Sequence, residues 1–185
     1  SFKSPPHSIL SFFGEARYDY EDRILVTASI RTDGSSNFGA NNRFGYFPAI
    51  SAAWRVSQEK FFHSNFVDDL KVRGSFGLTG NERIGGFLFL GQWGSSTYSG
   101  NSGVVPTSVA NPNIKWETTT EKNLGVDVAM WSGRLQTVFN IYYNKTSDLL
   151  LTRPYPSTTG FGGIFDNIGE MENKGLELSV KSVNI

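Results

Sequence analysis

The sequence predicts an all-β fold: an antiparallel, up-and-down transmembrane β-barrel segment of about seven strands, part of a larger barrel, with long extracellular loops. Three observations carry this prediction. Apolar and polar residues alternate with a period of two in successive stretches, which sends apolar side chains to one face of a sheet and polar ones to the other. The 185 residues hold 15 Phe, 7 Tyr, 4 Trp and 20 Gly against 2 Met, a balance that favours strands and glycine-bearing turns over helices. The connections run short, long, intermediate, long, short, long, as they do when a barrel has tight turns at one rim and extended loops at the other.

In the first strand, residues 10–20, Leu10, Phe12, Gly14, Ala16, Tyr18 and Tyr20 alternate with Ser11, Phe13, Glu15, Arg17 and Asp19, so its charges share one face. A tight turn at Glu21 and Asp22 leads to a second strand reaching about Asp33. There Ile24, Val26, Ala28 and Ile30 oppose Arg23, Thr27, Ser29 and Arg31, with Leu25 an apolar residue on the polar side. A polar, glycine-bearing loop over residues 34–47 precedes a third strand that sets Ile50, Ala52, Trp54 and Val56 against Ser51 and Arg55. Residues 58–65 read as a short helix. The fourth strand, residues 70–79, sets Leu70, Val72, Phe76 and Leu78 against Lys71, Arg73, Ser75 and Thr79.

A loop of about 35 residues, 80–115, follows; that length counts against a compact soluble domain and is routine in an outer-membrane barrel. In the fifth strand, residues 116–131, Leu124, Val126, Val128 and Met130 face away from Glu117, Glu121, Asn123 and Asp127, while Lys122 breaks the parity. After a turn at Ser132-Gly133, the sixth strand, residues 134–145, carries Leu135, Phe139, Ile141 and Tyr143 opposite Arg134, Gln136, Asn140, Tyr142 and Asn144. A second long loop is expected to reach about Ile168. The last strand, residues 173–183, alternates Leu176, Leu178 and Val180 with Glu177, Ser179 and Lys181. Tyr20, Trp54, Trp116 and Trp131 fall near strand ends, where an aromatic girdle would lie.

The 17 basic and 17 acidic side chains cancel, so no global field draws the chain to nucleic acid. With no cysteine, disulfide frameworks and thiolate metal sites are excluded. No run approaches the ~20 apolar residues of a transmembrane helix, but a barrel strand needs only ~9–11. The chain starts at Ser1 without a leader, which suggests a mature or truncated chain.

Catalytic motifs find no support, and the chain is read as no enzyme, with no catalytic, cofactor or metal residues. His7 and His63 lie far from any Ser or Cys nucleophile motif. The pairs Glu117 and Glu121, or Glu170 and Glu172, resemble a glycosidase dyad, yet on strands they read more simply as groups lining a polar lumen. Gly160, Gly162 and Gly163 lack the Lys-Ser/Thr of a phosphate loop, and the Asp33 loop lacks the spacing of a calcium loop. Asn144-Lys145-Thr146 fits a glycosylation sequon without further support. In the loop holding Asp33, Gly34, Ser35, Ser36, Asn42 and Arg43, the structural reading prevails: Gly34, Gly39 and Gly45 supply positive-φ turns, and Asp33 pairs with Arg43. The loop aromatics Phe87, Phe89, Trp93, Tyr98, Tyr155, Phe161 and Phe165 are the candidates for gripping ligand.

From Arg31 to Arg55 the sequence RTDGSSNFGANNRFGYFPAISAAWR resembles a signature strand–loop–strand of SusC/RagA-type TonB-dependent outer-membrane receptors. Four further segments resemble the same family in order: LKVRGSFGLTGN at 70–81, NPNIKWETTTEKNLGVD at 111–127, YYNKTSDLLL at 142–151 and NIGEMENKGLEL at 167–178. The resemblance implies a barrel of about 22 strands with a plugged lumen, of which residues 1–185 would be a partial β-barrel domain without the plug. It also implies the Gram-negative outer membrane, import of oligosaccharides or peptides, a SusD-like surface lipoprotein as lid, and the TonB complex acting through regions outside this sequence. Membrane lipid would meet the apolar face. Rival readings are a non-transporting outer-membrane barrel or adhesin, and a soluble carbohydrate-binding β-sandwich.

Overall fold

The structure, a computed structural model, describes residues 7–82 and 88–183. Nine strands follow in order: β1 (Ile9–Tyr20), β2 (Ile24–Ser35), β3 (Phe44–Arg55), β4 (Val67–Asn81), β5 (Trp93–Tyr98), β6 (Asn101–Pro106), β7 (Glu117–Met130), β8 (Leu135–Pro154) and β9 (Gly163–Ser182). Seven make one sheet in the order β1-β2-β3-β4-β7-β8-β9, with every neighbouring pair antiparallel. The remaining two form a separate hairpin inside the β4–β7 connection.

Two adjacent rungs show why the alternation matters. Tyr20, Ile24, Trp54, Val72, Val126, Phe139 and Leu178 are paired in succession across the whole sheet, and all are apolar or aromatic. One residue along, the rung reads Asp19, Leu25, Ala53, Arg73, Gly125, Asn140 and Glu177. Because side chains alternate faces, the first rung belongs to an apolar surface and the second to a polar one. The apolar surface is uncovered: Leu176 and Leu178 are 69% and 68% exposed. In water such a contiguous patch would drive association, and a β-sandwich would bury it against a second sheet. Among the described residues the seven strands follow one another in a single sheet with no second sheet facing it, which departs from the rival sandwich reading, whereas a bilayer satisfies this face without any covering layer.

The turns obey the same geometry. Three residues join β1 to β2; Glu21 and Asp22 both take positive φ, at 51° and 55°, and Arg23 N closes the turn on the Tyr20 carbonyl at 2.9 Å, a left-handed turn whose twist matches the flanking strands. Trp131, Ser132 and Gly133 do so between β7 and β8. These tight turns share one rim with the β3–β4 connection, and the long connections share the other.

Several boundaries differ from the sequence expectation. The short helix expected over residues 58–65 is replaced by a 3-10 turn at Val56–Gln58, and residues 59–65 hold no helix. β3 begins at Phe44, which shortens the preceding loop. Most of the expected second long loop is strand, for β8 and β9 run 20 residues each. Register shifts between Thr146 and Leu150, with Asp148 at φ 60°, reset the alternation there and hide it from a parity reading. Both strands exceed the ~9–11 residues that span a bilayer, so their loop-side ends stand clear of it.

That overhang explains the parity break at Lys122. It sits on the apolar side, in the rung Phe76–Lys122–Tyr143–Lys174, where the surface changes character. Its ammonium lies 5.7 Å from the Tyr143 ring centroid, the Tyr143 hydroxyl donates to Glu172 at 2.9 Å, and Lys145 pairs with Glu170 at 2.9 Å. Such a band of long cationic and aromatic side chains at the edge of an apolar face suits a polar boundary beside lipid. Glu170 and Glu172 are therefore outward-facing boundary groups and do not line the lumen.

Candidate functional site

Two regions can meet a solute: the polar wall of the sheet and the crown of loops above it. On the wall, Asp127 accepts from Lys71 Nζ at 3.0 Å and from Arg73 Nε at 3.3 Å, and Arg73 Nη2 donates to Asn140 Oδ1 at 2.6 Å. Arg73 reaches Asn140 across Gly125, where a Cβ would lie 2.8 Å from the guanidinium carbon. A glycine here lets the cation lie flat on the strand. Mixed-sign charges at this density suit a watered or plugged interior and are untenable against lipid.

The crown is built around a small core of Phe38, Phe47, Ile114 and Trp116, with Leu78, Leu88 and Leu150 packed on it. Trp116 is 7% exposed, with its ring 5.0 Å from Phe38 and 5.5 Å from Phe47, and its Nε1 donates to the Arg43 carbonyl at 3.1 Å. It thus departs from the expected girdle, which at the tight-turn rim holds Tyr20, Trp54 and Trp131, at 46%, 41% and 55% exposure. Burial wins for Trp116 because its indole N–H finds a carbonyl inside the loop core.

Asparagines fasten this core to its surroundings. Asn111 donates to the Phe165 carbonyl at 2.7 Å, and its Oδ1 accepts from Asn113 N at 3.1 Å. Asn42 donates to the Asn113 carbonyl, tying the β2–β3 loop to the same segment. Asn167 accepts from Lys115 N at 3.0 Å and donates to the Lys115 and Asp148 carbonyls at 2.9 and 2.7 Å. Asp33 is held by Arg31, whose Nε lies 2.9 and 2.8 Å from its two carboxylate oxygens; the expected Asp33–Arg43 pair does not form, because Arg31 stands two residues away on the same strand face. Arg43 serves through its carbonyl, which Ser35 N also uses.

The glycines of this loop have a different role from the one expected. Among the described residues the positive-φ glycines are Gly100, Gly133 and Gly160, and Gly34, Gly39 and Gly45 are not among them. Gly34 instead leaves room for the Phe44 ring, and Gly45 and Gly80 for the Phe47 ring. They are small because an aromatic face lies where a Cβ would stand.

Of the candidate ligand-gripping aromatics, Phe87 lies outside the described residues, as does the side chain of Tyr98. Trp93 stands 68% exposed on β5, and Phe165 is 39% exposed on β9. Phe89, Tyr155 and Phe161 are half-buried. The set divides between the β4–β7 connection and the β8–β9 hairpin. The histidines are also apart: His7 Nε2 lies 3.1 Å from Glu82, which also bonds Ser35, and His63 lies 3.3 Å from the Phe61 carbonyl. Glu117 is occupied by Asn81 at 2.6 Å and Leu150 N at 2.9 Å. Sequence reading missed Asn111 and Asn167 as organising residues, although both stand in the segments that carry the family resemblance.

An antiparallel meander with a lipid-compatible face, a charged face, tight turns at one rim and long loops at the other defines a segment of a transmembrane β-barrel. The chain belongs to the family described as TonB dependent receptor-like, beta-barrel, whose model matches residues 2–183. It is 43% identical over 183 residues to TonB-dependent receptor P3 of Formosa agariphila, covering 96% of this chain and 18% of the relative. It is 34% identical over 190 residues to TonB-dependent receptor SusC of Bacteroides thetaiotaomicron, covering 95% and 18%. Among solved structures, the RagAB peptide transporter matches 95% of this chain and 20% of its own at a TM-score of 0.86 and 30% identity. The siderophore receptor PirA from Pseudomonas aeruginosa, at 15% identity and a TM-score of 0.59, shares the fold. The chain thus spans under a fifth of the curated relatives it matches.

Proposed function

We propose that these residues form part of the wall and outer loops of a nutrient importer in the outer membrane of a Gram-negative bacterium. The complete barrel and its plug would come from the rest of a longer protein, with TonB acting on that plug from the periplasm. A SusD-like surface lipoprotein would act as lid, and the ligand would be an oligosaccharide or a peptide. Phe87, Phe89, Trp93, Tyr98, Tyr155, Phe161 and Phe165 are proposed to contact that ligand as it enters. No catalytic step is assigned.

The observation that carries this reading is the pair of adjacent rungs, one apolar from Tyr20 to Leu178 and the other polar from Asp19 to Glu177. It supports a wall between lipid and a hydrated lumen, and likeness to SusC and to the RagAB transporter supports an import role for that lumen. The test uses the complete receptor in its own cell. Removing TonB should abolish growth on the receptor's nutrient while leaving the receptor in the outer membrane. Unchanged uptake without TonB would overturn the proposal and favour a passive or adhesive barrel.

A further inference from the structure

One hollow on the polar wall is not used by the ion-pair network. It is centred on Tyr142, the middle of three consecutive rungs on β7, β8 and β9: Glu121–Asn144–Asn173, Asn123–Tyr142–Gly175 and Gly125–Asn140–Glu177. Residues one rung apart point to opposite faces, but these rungs are spaced by two, so all nine share the polar side. The hollow measures about 420 Å³ and has Tyr142, Asn123, Asn144, Asn173, Glu121 and Glu177 in its lining. That size falls within the range of small-ligand pockets.

Two features distinguish it from an ordinary polar surface. The Tyr142 ring lies across Gly175: a Cβ there would stand 2.6, 2.7 and 2.9 Å from the hydroxyl oxygen, Cζ and Cε1, so the missing side chain is what lets the ring lie flat on the wall. Around this flat ring the carboxamides of Asn123, Asn144 and Asn173 and the Tyr142 hydroxyl make no hydrogen bond to other described residues. The asparagines at 111 and 167, by contrast, are fully engaged in the crown. A flat aromatic face bordered by uncommitted amides fits the alternation of C–H faces and hydroxyl edges on a pyranose ring.

The charges narrow the class further. Glu121 and Glu177 border the hollow, and among the described residues the nearby cations are directed elsewhere: Lys122 is in the lining, but its ammonium lies by Tyr143 on the opposite side, and Arg73 is held by Asp127 and Asn140. An anionic ligand would meet two carboxylates without compensation. We infer that the Tyr142 hollow is a subsite for a neutral, hydroxyl-rich sugar ring on the barrel wall, beneath the loop crown. The inference rests on the importer reading and gives it a ligand class and a fixed contact point.

The experiment titrates the purified complete receptor calorimetrically with neutral maltoheptaose, laminariheptaose and mannoheptaose, an anionic heptagalacturonate, and a neutral heptapeptide. At least one neutral oligosaccharide should bind. Tyr142→Ala should weaken it about tenfold or more, and Tyr142→Phe, which keeps the ring, by no more than about threefold. Asn173→Ala, an exposed site whose change cannot block assembly through packing, should weaken it about fivefold. Unchanged affinity in both Tyr142→Ala and Asn173→Ala would overturn the subsite while leaving import untouched. So would binding confined to the anionic glycan or the peptide, or no binding to any neutral glycan. Failure of the importer reading is read separately, from TonB-independent uptake.

Discussion

The side-chain amide of Asn167 bonds the backbone of Lys115 in both directions, accepting from its N–H at 3.0 Å and donating to its carbonyl at 2.9 Å. One side chain thereby substitutes for a strand partner, and its further bond to the Asp148 carbonyl at 2.7 Å joins the β4–β7 connection to the β8 bulge. Asn167→Ala should lose about 1–3 kcal/mol, since three hydrogen bonds go and two carbonyls must find water. Asn167→Asp should cost more, because a carboxylate cannot donate to either carbonyl. Faster amide hydrogen exchange at Lys115 in both variants of the complete receptor would register the effect, and unchanged protection would refute it.

Phe47 occupies the space that Gly45 and Gly80 leave open. Gly45→Ala or Gly80→Ala should destabilise the crown by about 1–3 kcal/mol through overpacking. Adding Phe47→Leu to either variant should recover part of that loss, a coupling measurable as a double-mutant cycle in urea unfolding. Strict additivity would show that the ring and the glycines do not meet.

Among the described residues, the β5–β6 hairpin is paired only to itself within the strand network. Deleting residues 94–103 from the complete receptor should therefore leave assembly intact, seen as normal heat-modifiable mobility, while impairing uptake. Normal uptake after the deletion would remove this hairpin from the ligand path.

Lys122 stands at the polar edge of the apolar face, whereas Ile141 lies two rungs further into that face, paired with Leu124 and Leu176. Lys122→Leu should change stability by less than about 1 kcal/mol, and Ile141→Lys should cost about 2–4 kcal/mol if it reaches mid-depth. Equilibrium folding into lipid vesicles provides the measurement. Equal costs would misplace the boundary.

Much of the wall was legible in the sequence because a period of two is a local property: Leu124, Val126 and Val128 declare their face without reference to any neighbour. The alternation failed where it was interrupted. Asp148 takes a left-handed conformation and the register slips beside it, so the upper halves of β8 and β9 read as loop although they pair as far as Pro154 and Gly163. The crown was less legible still. That Trp116 packs on Phe38 and Phe47, that Gly45 makes room for a ring, and that Asn167 grips Lys115 are contacts between distant segments, which parity cannot report. The Tyr142 hollow joins three strands in the same way.

The central claim is that adjacent residues on β7 face opposite solvents. The direct measurement is the folding free energy of the complete receptor in lipid vesicles with arginine placed at Val126 or at Asn123. Val126→Arg should cost about 2–4 kcal/mol if it enters lipid at mid-depth, and Asn123→Arg should cost little, because it enters a hydrated lumen. Equal penalties at the two positions would contradict the account.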